Sequence, residues 1–387
     1  MRIVLFDRRR ALPTLFVLLC TLVPAAWAQP RLSTLADAGI EFSQDVPETM
    51  RLRIGGAQVQ LDLERHDRIE SELARFAPEV ANGTHRYYRG GIAGRADSWA
   101  RLALIGGAWT GALWDGATLW LLDPAQQHGA QARSLGIDAD ATVVFPLAAV
   151  DLPGGFDVGA LGGGAHAPAG DRDLAPAGAA LPAGGNRFLR VTLVLDTEFQ
   201  GRYGATSAAV AGAVLNIVDG VYSAQVGVDV SLAHLHALPG NGAMTSTNPD
   251  ALLVAFRNFI LGGTVPVSGV AHLLSGKDFD GNTVGLAYLG TVCNSNGYGT
   301  GIDQVTFSQA FGGATLAHEI GHNFDADHDS QGNACPASGF IMAAIINTGA
   351  PSSQFSTCSL SYFNQYLTAP LTCLNGPPDP IFASGFQ

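Results

Sequence analysis

His318-Glu319-Ile320-Gly321-His322, with His328 six residues further on, sets three imidazoles and one carboxylate at a spacing suited to a zinc ion and a hydrolytic water. On a helix, residues four apart share a face, so His318 and His322 can offer two ring nitrogens to one ion. Glu319 lies one step round and is placed to act as a general base. A continuing helix would carry His328 away, so the chain must turn sharply near Asp325 to return it as third ligand. Three protein ligands leave one tetrahedral position open, as hydrolytic zinc sites require. The implied chemistry is metal-assisted peptide hydrolysis: zinc polarises the scissile carbonyl and activates water, while Glu319 takes the proton and passes it to the leaving amine.

The elements around these residues agree. Leu316, Ile320 and Phe324 recur at i, i+4 and i+8, an apolar stripe for the side of the helix away from the ligands, and Gly312-Gly313 is expected to precede the helix. A helix that merely contains two histidines is the bland alternative, and the full pattern is improbable by chance with 10 histidines in 387 residues. A distant glutamate as third ligand is excluded, because no glutamate follows Glu319 and Asp379 lies in a Pro-rich tail. Upstream, Phe188–Leu195 reads as a buried strand. Ser207–Tyr222 reads as a helix with Val210, Val214, Ile217 and Val221 on one side, and Val228–Leu235 as a second strand. Strand, helix, strand implies an α/β domain with a mostly parallel sheet. His234, His236 and His272 fall in strand-like runs and read as structural.

The histidine run resembles the metzincin zinc metalloproteases, H-E-x-x-H-x-x-G-x-x-H followed by a methionine turn. Asp325 stands where that pattern has glycine, and aspartate tolerates the left-handed backbone the turn requires, with some strain. Ser338-Gly339-Phe340-Ile341-Met342, ending fourteen residues past His328, is similar to the turn whose methionine floors the metal site. Asn323 and Asp329, Phe355-Ser356-Thr357-Cys358-Ser359, Cys373-Leu374-Asn375, His272-Leu273-Leu274-Ser275-Gly276 and Thr283–Tyr288 extend the likeness to the adamalysin/reprolysin (ADAM-like) group. This resemblance implies a metzincin-like α/β catalytic domain with active-site helix and Met-turn. It also implies one catalytic zinc, substrate pairing near Gly285, Leu286 and Ala287, and a pocket wall from Ala343, Ala344 and Ile345. Of the four cysteines after Cys20, it favours Cys293 with Cys373 and Cys335 with Cys358. No C-x-x-C spacing supports a cysteine zinc site instead. Calcium sites cannot be read from the sequence.

Arg8-Arg9-Arg10, an apolar run from Leu12 to Pro24 and Ala26-Trp27-Ala28 read as a signal peptide over 1–28. No later stretch reaches the roughly 18–20 continuous apolar residues of a membrane span, so a secreted, extracellular protein is expected. Residues 29–152 alternate strand-like runs with Gly-Gly and Asp-Gly turns, and Tyr87-Tyr88-Arg89-Gly90-Gly91 resembles the same group's propeptide. A β-rich prodomain is therefore expected over 29–152. Residues 153–185, dominated by Gly, Ala, Pro and Asp, read as a flexible linker where maturation would cut. The catalytic domain is then 186–375 and the tail 376–387. The prodomain has no cysteine, so a thiolate cannot hold the zinc latent.

From Asn186 onward five basic residues face thirteen acidic ones, a net of −8, which argues against nucleic acid as a partner. Expected partners are protein or peptide substrates and the chain's own propeptide, with a monomeric protein. The competing function is a catalytically inactive binding protein on the same fold. Intact Glu319 beside three intact histidines argues for the enzyme.

Overall fold

Paired glycines fix the hairpins of the N-terminal half. Gly55 and Gly56 (φ 54° and 82°) and Gly106 and Gly107 (φ 57° and 89°) hold left-handed conformations that two-residue hairpin turns need. The computed structural model describes residues 31–45, 48–151, 159–162, 187–294, 299–344 and 354–375. The leader, most of the 153–185 linker, Ile345, Asp379 and the tail lie outside them.

The first of these pairs joins β4 (Glu48–Ile54) to β5 (Ala57–Arg65), and the second joins β7 (Trp99–Ile105) to β8 (Ala108–Trp114). With β3 (Glu41–Ser43), β6 (His85–Ile92), β9 (Leu119–Pro124), β10 (Thr142–Pro146) and β2 (Ala36–Asp37) they form one antiparallel sheet in the order β2-β10-β9-β8-β7-β6-β5-β4-β3. A short ladder of β1 (Arg31–Leu32) with β11 (Val150–Asp151) lies beside it, and α1 (Asp67–Ala74) and α2 (Gly129–Ser134) sit in its connections. Neighbouring residues point to opposite faces, and both faces are apolar. Tyr88 and Leu122 join a core belonging to this sheet alone, while Tyr87 and Leu121 join a core shared with the C-terminal half.

The C-terminal half is an α/β domain built on β13 (Phe188–Leu195), β14 (Asp229–Ala237), β15 (Val270–Ser275), β16 (Gly285–Leu289) and β17 (Thr300–Gln304). Its sheet order is β12-β16-β17-β15-β13-β14, parallel except for the β16–β17 pair. Its first member, β12 (Gly159–Gly162), comes from the sequence read as a flexible linker and lies parallel to β16. The edge of β16 expected to stand free for substrate is therefore paired with the chain itself.

Helix starts follow side-chain caps. Asp196 accepts from the Phe199 amide at α3 (Thr197–Tyr203), and Asn248 accepts from Ala251 at α5 (Pro249–Leu261). Ser308 and Ser356 cap α6 (Gln309–Asn323) and α7 (Thr357–Leu367). The ligand helix thus begins at Gln309, and Gly312 and Gly313 lie inside it rather than before it. Their absent side chains admit Val305 and Ile217, so packing overrides their weak helix propensity.

Between the two sheets runs α4 (Ser207–Gln225), buried on nearly every side. Ile217 faces α6, whereas Gly212 and Gly220 face Leu73, Tyr87, Trp99 and Arg101 of the N-terminal half. Thr197–Gln225, which spans α3 and α4, is long and apolar enough by composition to cross a membrane, but 78% of its apolar window is buried within the protein.

Candidate active site

The helical face and the turn bring three imidazoles together. His318 and His322 project from α6, and their Nε2 atoms lie 3.1 Å apart. After Phe324 the helix stops at Asp325, whose φ of 71° is the left-handed conformation expected there. Hydrogen bonds from Asp325 N to His322 O (2.8 Å) and from Ala326 N to Gly321 O (3.1 Å) close the turn. His328 Nε2 then lies 3.1 Å from His322 Nε2.

Each ring's other nitrogen has an oxygen acceptor. His318 Nδ1 donates to Ile341 O (2.5 Å), His322 Nδ1 to Ala326 O (2.7 Å) and His328 Nδ1 to Gln331 Oε1 (3.1 Å). Those bonds put the proton on Nδ1 and leave three Nε2 lone pairs aimed at one point. Burial and the His328 imidazole push His318 down to about 3, and burial with both neighbours drives His322 well below its ordinary value. Converging neutral imidazoles cannot hydrogen-bond one another, so the arrangement needs a cation. An all-nitrogen set of three histidines fits zinc with one open position, and among the described residues it is the group able to hold a metal.

Glu319 is fully buried beside this cluster, with no hydrogen-bond partner for either carboxylate oxygen among the described residues. Burial, reinforced by Asp303, pushes its pKa well above the usual carboxylate range. Its carboxyl occupies the space a Cβ of Gly285 would fill, so the glycine at the start of β16 is what admits that carboxyl. Leu286 and Ala287 follow on the same strand, buried, and their backbones face β12.

Met342 is fully buried, with its sulfur where a Gly321 side chain would stand. Asp329 ties this turn to α7: its amide donates to Met342 O (2.7 Å), and its Oδ1 accepts from Ser356 and Ser359, each at 2.9 Å. Ala343 bridges to Asp329 and is buried, as is Ala344. Disulfides join Cys293 to Cys373 and Cys335 to Cys358, with Cα separations of 5.6 and 5.5 Å. The second holds the segment after His328 against the start of α7.

His272, expected to be structural, is buried and belongs to a polar group beside the site that local spacing does not bring together. His272 and Asp303 lie on neighbouring parallel strands, and His272 also meets Asn323, next to ligand His322. The available signal is an ionisable residue in the middle of each of two strand-like runs, Val-Ala-His-Leu-Leu and Thr-Gly-Ile-Asp-Gln.

The sequence model of the Reprolysin (M12B) family zinc metalloprotease matches residues 187–378. Among solved structures the chain is similar to the crystal structure of metalloproteinase-II from Bacteroides fragilis, with 14% identity, a TM-score of 0.49 and coverage of 82% of this chain and 90% of that one.

Proposed function

Because residues 187–378 form a reprolysin-family zinc metalloprotease domain, we propose that this chain is a secreted zinc endopeptidase made as a latent proenzyme. The observation that carries the reading is the convergence of His318, His322 and His328 through Nε2 with Glu319 buried beside them. His318, His322 and His328 would hold a zinc ion, which would supply Lewis-acid polarisation of the scissile carbonyl. Glu319 takes a proton from the attacking water on a carboxylate oxygen and returns it to the leaving nitrogen. The substrate backbone adds to β16 as an extended strand. Ala343 and Ala344, beside Met342, offer an apolar wall for the residue after the cut bond. The protein acts as a monomer.

Latency follows from the backbone. While Gly159–Gly162 pairs with β16, the edge that substrate needs is filled. Cleavage in the glycine-rich segment between β12 and β13, with loss of the N-terminal region, frees that edge. The leader at 1–28 supports export, and its removal leaves a proenzyme starting at Gln29. The test compares the intact and the cut secreted protein on casein, with and without 1,10-phenanthroline. Cleavage confined to the cut form and abolished by the chelator is expected. Equal rates before and after cutting would contradict latency, and chelator-insensitive cleavage would contradict the metal.

A further inference from the structure

We propose that His272 is a positioning residue for peptide hydrolysis, clamping the metal-binding helix to the strand that receives substrate; this rests on the peptidase reading above. His272 sits in the middle of β15 with 0% exposure, opposite Gly301 of β17, whose missing side chain makes room for the imidazole. Its Nδ1 lies 2.8 Å from Asp303 Oδ2, and its Nε2 lies 2.9 Å from Asn323 Oδ1.

The donors and acceptors around Asn323 fix the direction of the chain. The Asn323 amide nitrogen donates to Tyr288 O at 2.9 Å and reaches Thr291 Oγ1 at 3.3 Å, so Oδ1 must accept and His272 Nε2 must carry a hydrogen. Asn323 therefore relays a contact from the interior of the sheet to the C-terminal end of β16. The same helix end is stitched by backbone bonds: Gly290 N donates to His322 O at 2.9 Å, and Thr291 N and Val292 N donate to Asn323 O at 2.8 and 3.1 Å.

At the other end of the network, Asp303 is in register opposite Gly285, the residue whose open space holds the Glu319 carboxyl. One buried network thus meets the helix residue following ligand His322, the outgoing end of the substrate strand and the strand position backing the base. Reacting groups must be held to within about 0.5 Å of productive geometry. A side chain that sets the helix end against the strand controls the distance between metal and substrate without touching either.

The test uses the full-length protein, activated by cutting, with His272→Gln and His272→Asn. The Gln amide can reach the Nε2 position and donate to Asn323, whereas the Asn amide reaches only toward Asp303. Each variant is measured for zinc content, thermal midpoint, kcat and KM on one peptide, and hydrogen exchange at Gly290, Thr291 and Val292. The expected result is zinc retained in both and a kcat at least tenfold lower in His272→Asn than in His272→Gln. Exchange protection at 290–292 should be lost only in His272→Asn. Equal kcat and equal exchange in the two variants, with cleavage by the wild type intact, would overturn the clamp alone. A wild-type protein that holds zinc after cutting and cleaves no peptide would overturn the peptidase reading, and the clamp's role in hydrolysis with it.

Discussion

Asp325 holds a φ of 71° immediately after the ligand helix, and without that conformation His328 could not return to the site. Replacing it by valine, which resists the left-handed region, should cost about 1–2 kcal/mol in urea unfolding. Glycine there should leave stability nearly unchanged and activity intact. Gly285 carries a different constraint, since its missing Cβ is the space the Glu319 carboxyl occupies. Gly285→Ala should retain zinc yet lower kcat/KM on the order of 100-fold, the penalty of misplacing a reacting group by about 1 Å. At this scale the cluster of three histidines with the Glu319 carboxyl beside it was legible because the spacing is local: four and six residues with a forced turn between. The contacts that join His272 to Asp303 and Asn323 were not, because they link residues 31 and 51 positions apart, which no local pattern encodes.

Among the elements, α6 depends on its cap more than on propensity, since Gly312, Gly313 and Gly321 all weaken it as an isolated helix. Ser308→Ala should therefore lower stability by about 1 kcal/mol, read as a drop in the thermal midpoint. The Cys335–Cys358 bridge closes a 23-residue separation around the segment after His328. Its removal should cost about 3 kcal/mol by the loop-entropy relation, measured by denaturant unfolding. In the α/β half, β13, α4 and β14 were readable from apolar runs and periodicity, whereas α3, α5 and α7 were not read. The pairing of Gly159–Gly162 with β16 was not, because a glycine-rich stretch carries no side-chain pattern and its strand is defined by backbone hydrogen bonds alone.

For the molecule as a whole, the two halves are joined by a buried polar seam as well as a shared apolar core. Asp219 of α4 accepts from Arg68 at 2.8 Å and Arg101 at 3.1 Å, and these cations hold its pKa down against the effect of burial. Asn216 bonds the backbone carbonyls of Tyr88 and Leu102, and Glu72 accepts from Ser231 and Leu232. His66, within this seam, is lowered from 6.5 to about 4, chiefly by burial and partly by Arg68, against the pull of Asp219. The unfolded chain therefore binds this proton at higher pH than the folded one. Its contribution is intact above about pH 6.5 and is lost as the pH falls through about 4. His66→Gln should flatten the fall in thermal midpoint over that window. The division into a β-rich and an α/β half was visible in composition and turn spacing. That the small and polar face of α4 is the docking surface emerges only in three dimensions, because glycine and alanine in a helix give no hint of what they pack against. We propose that Glu319 acts on water beside a zinc held by three histidines. It is tested most directly by kcat/KM on a peptide substrate for the activated wild type and Glu319→Gln, with zinc content measured in both. Equal zinc with a loss of roughly 10²–10⁴-fold in the variant is predicted. Equal zinc with undiminished cleavage would contradict it.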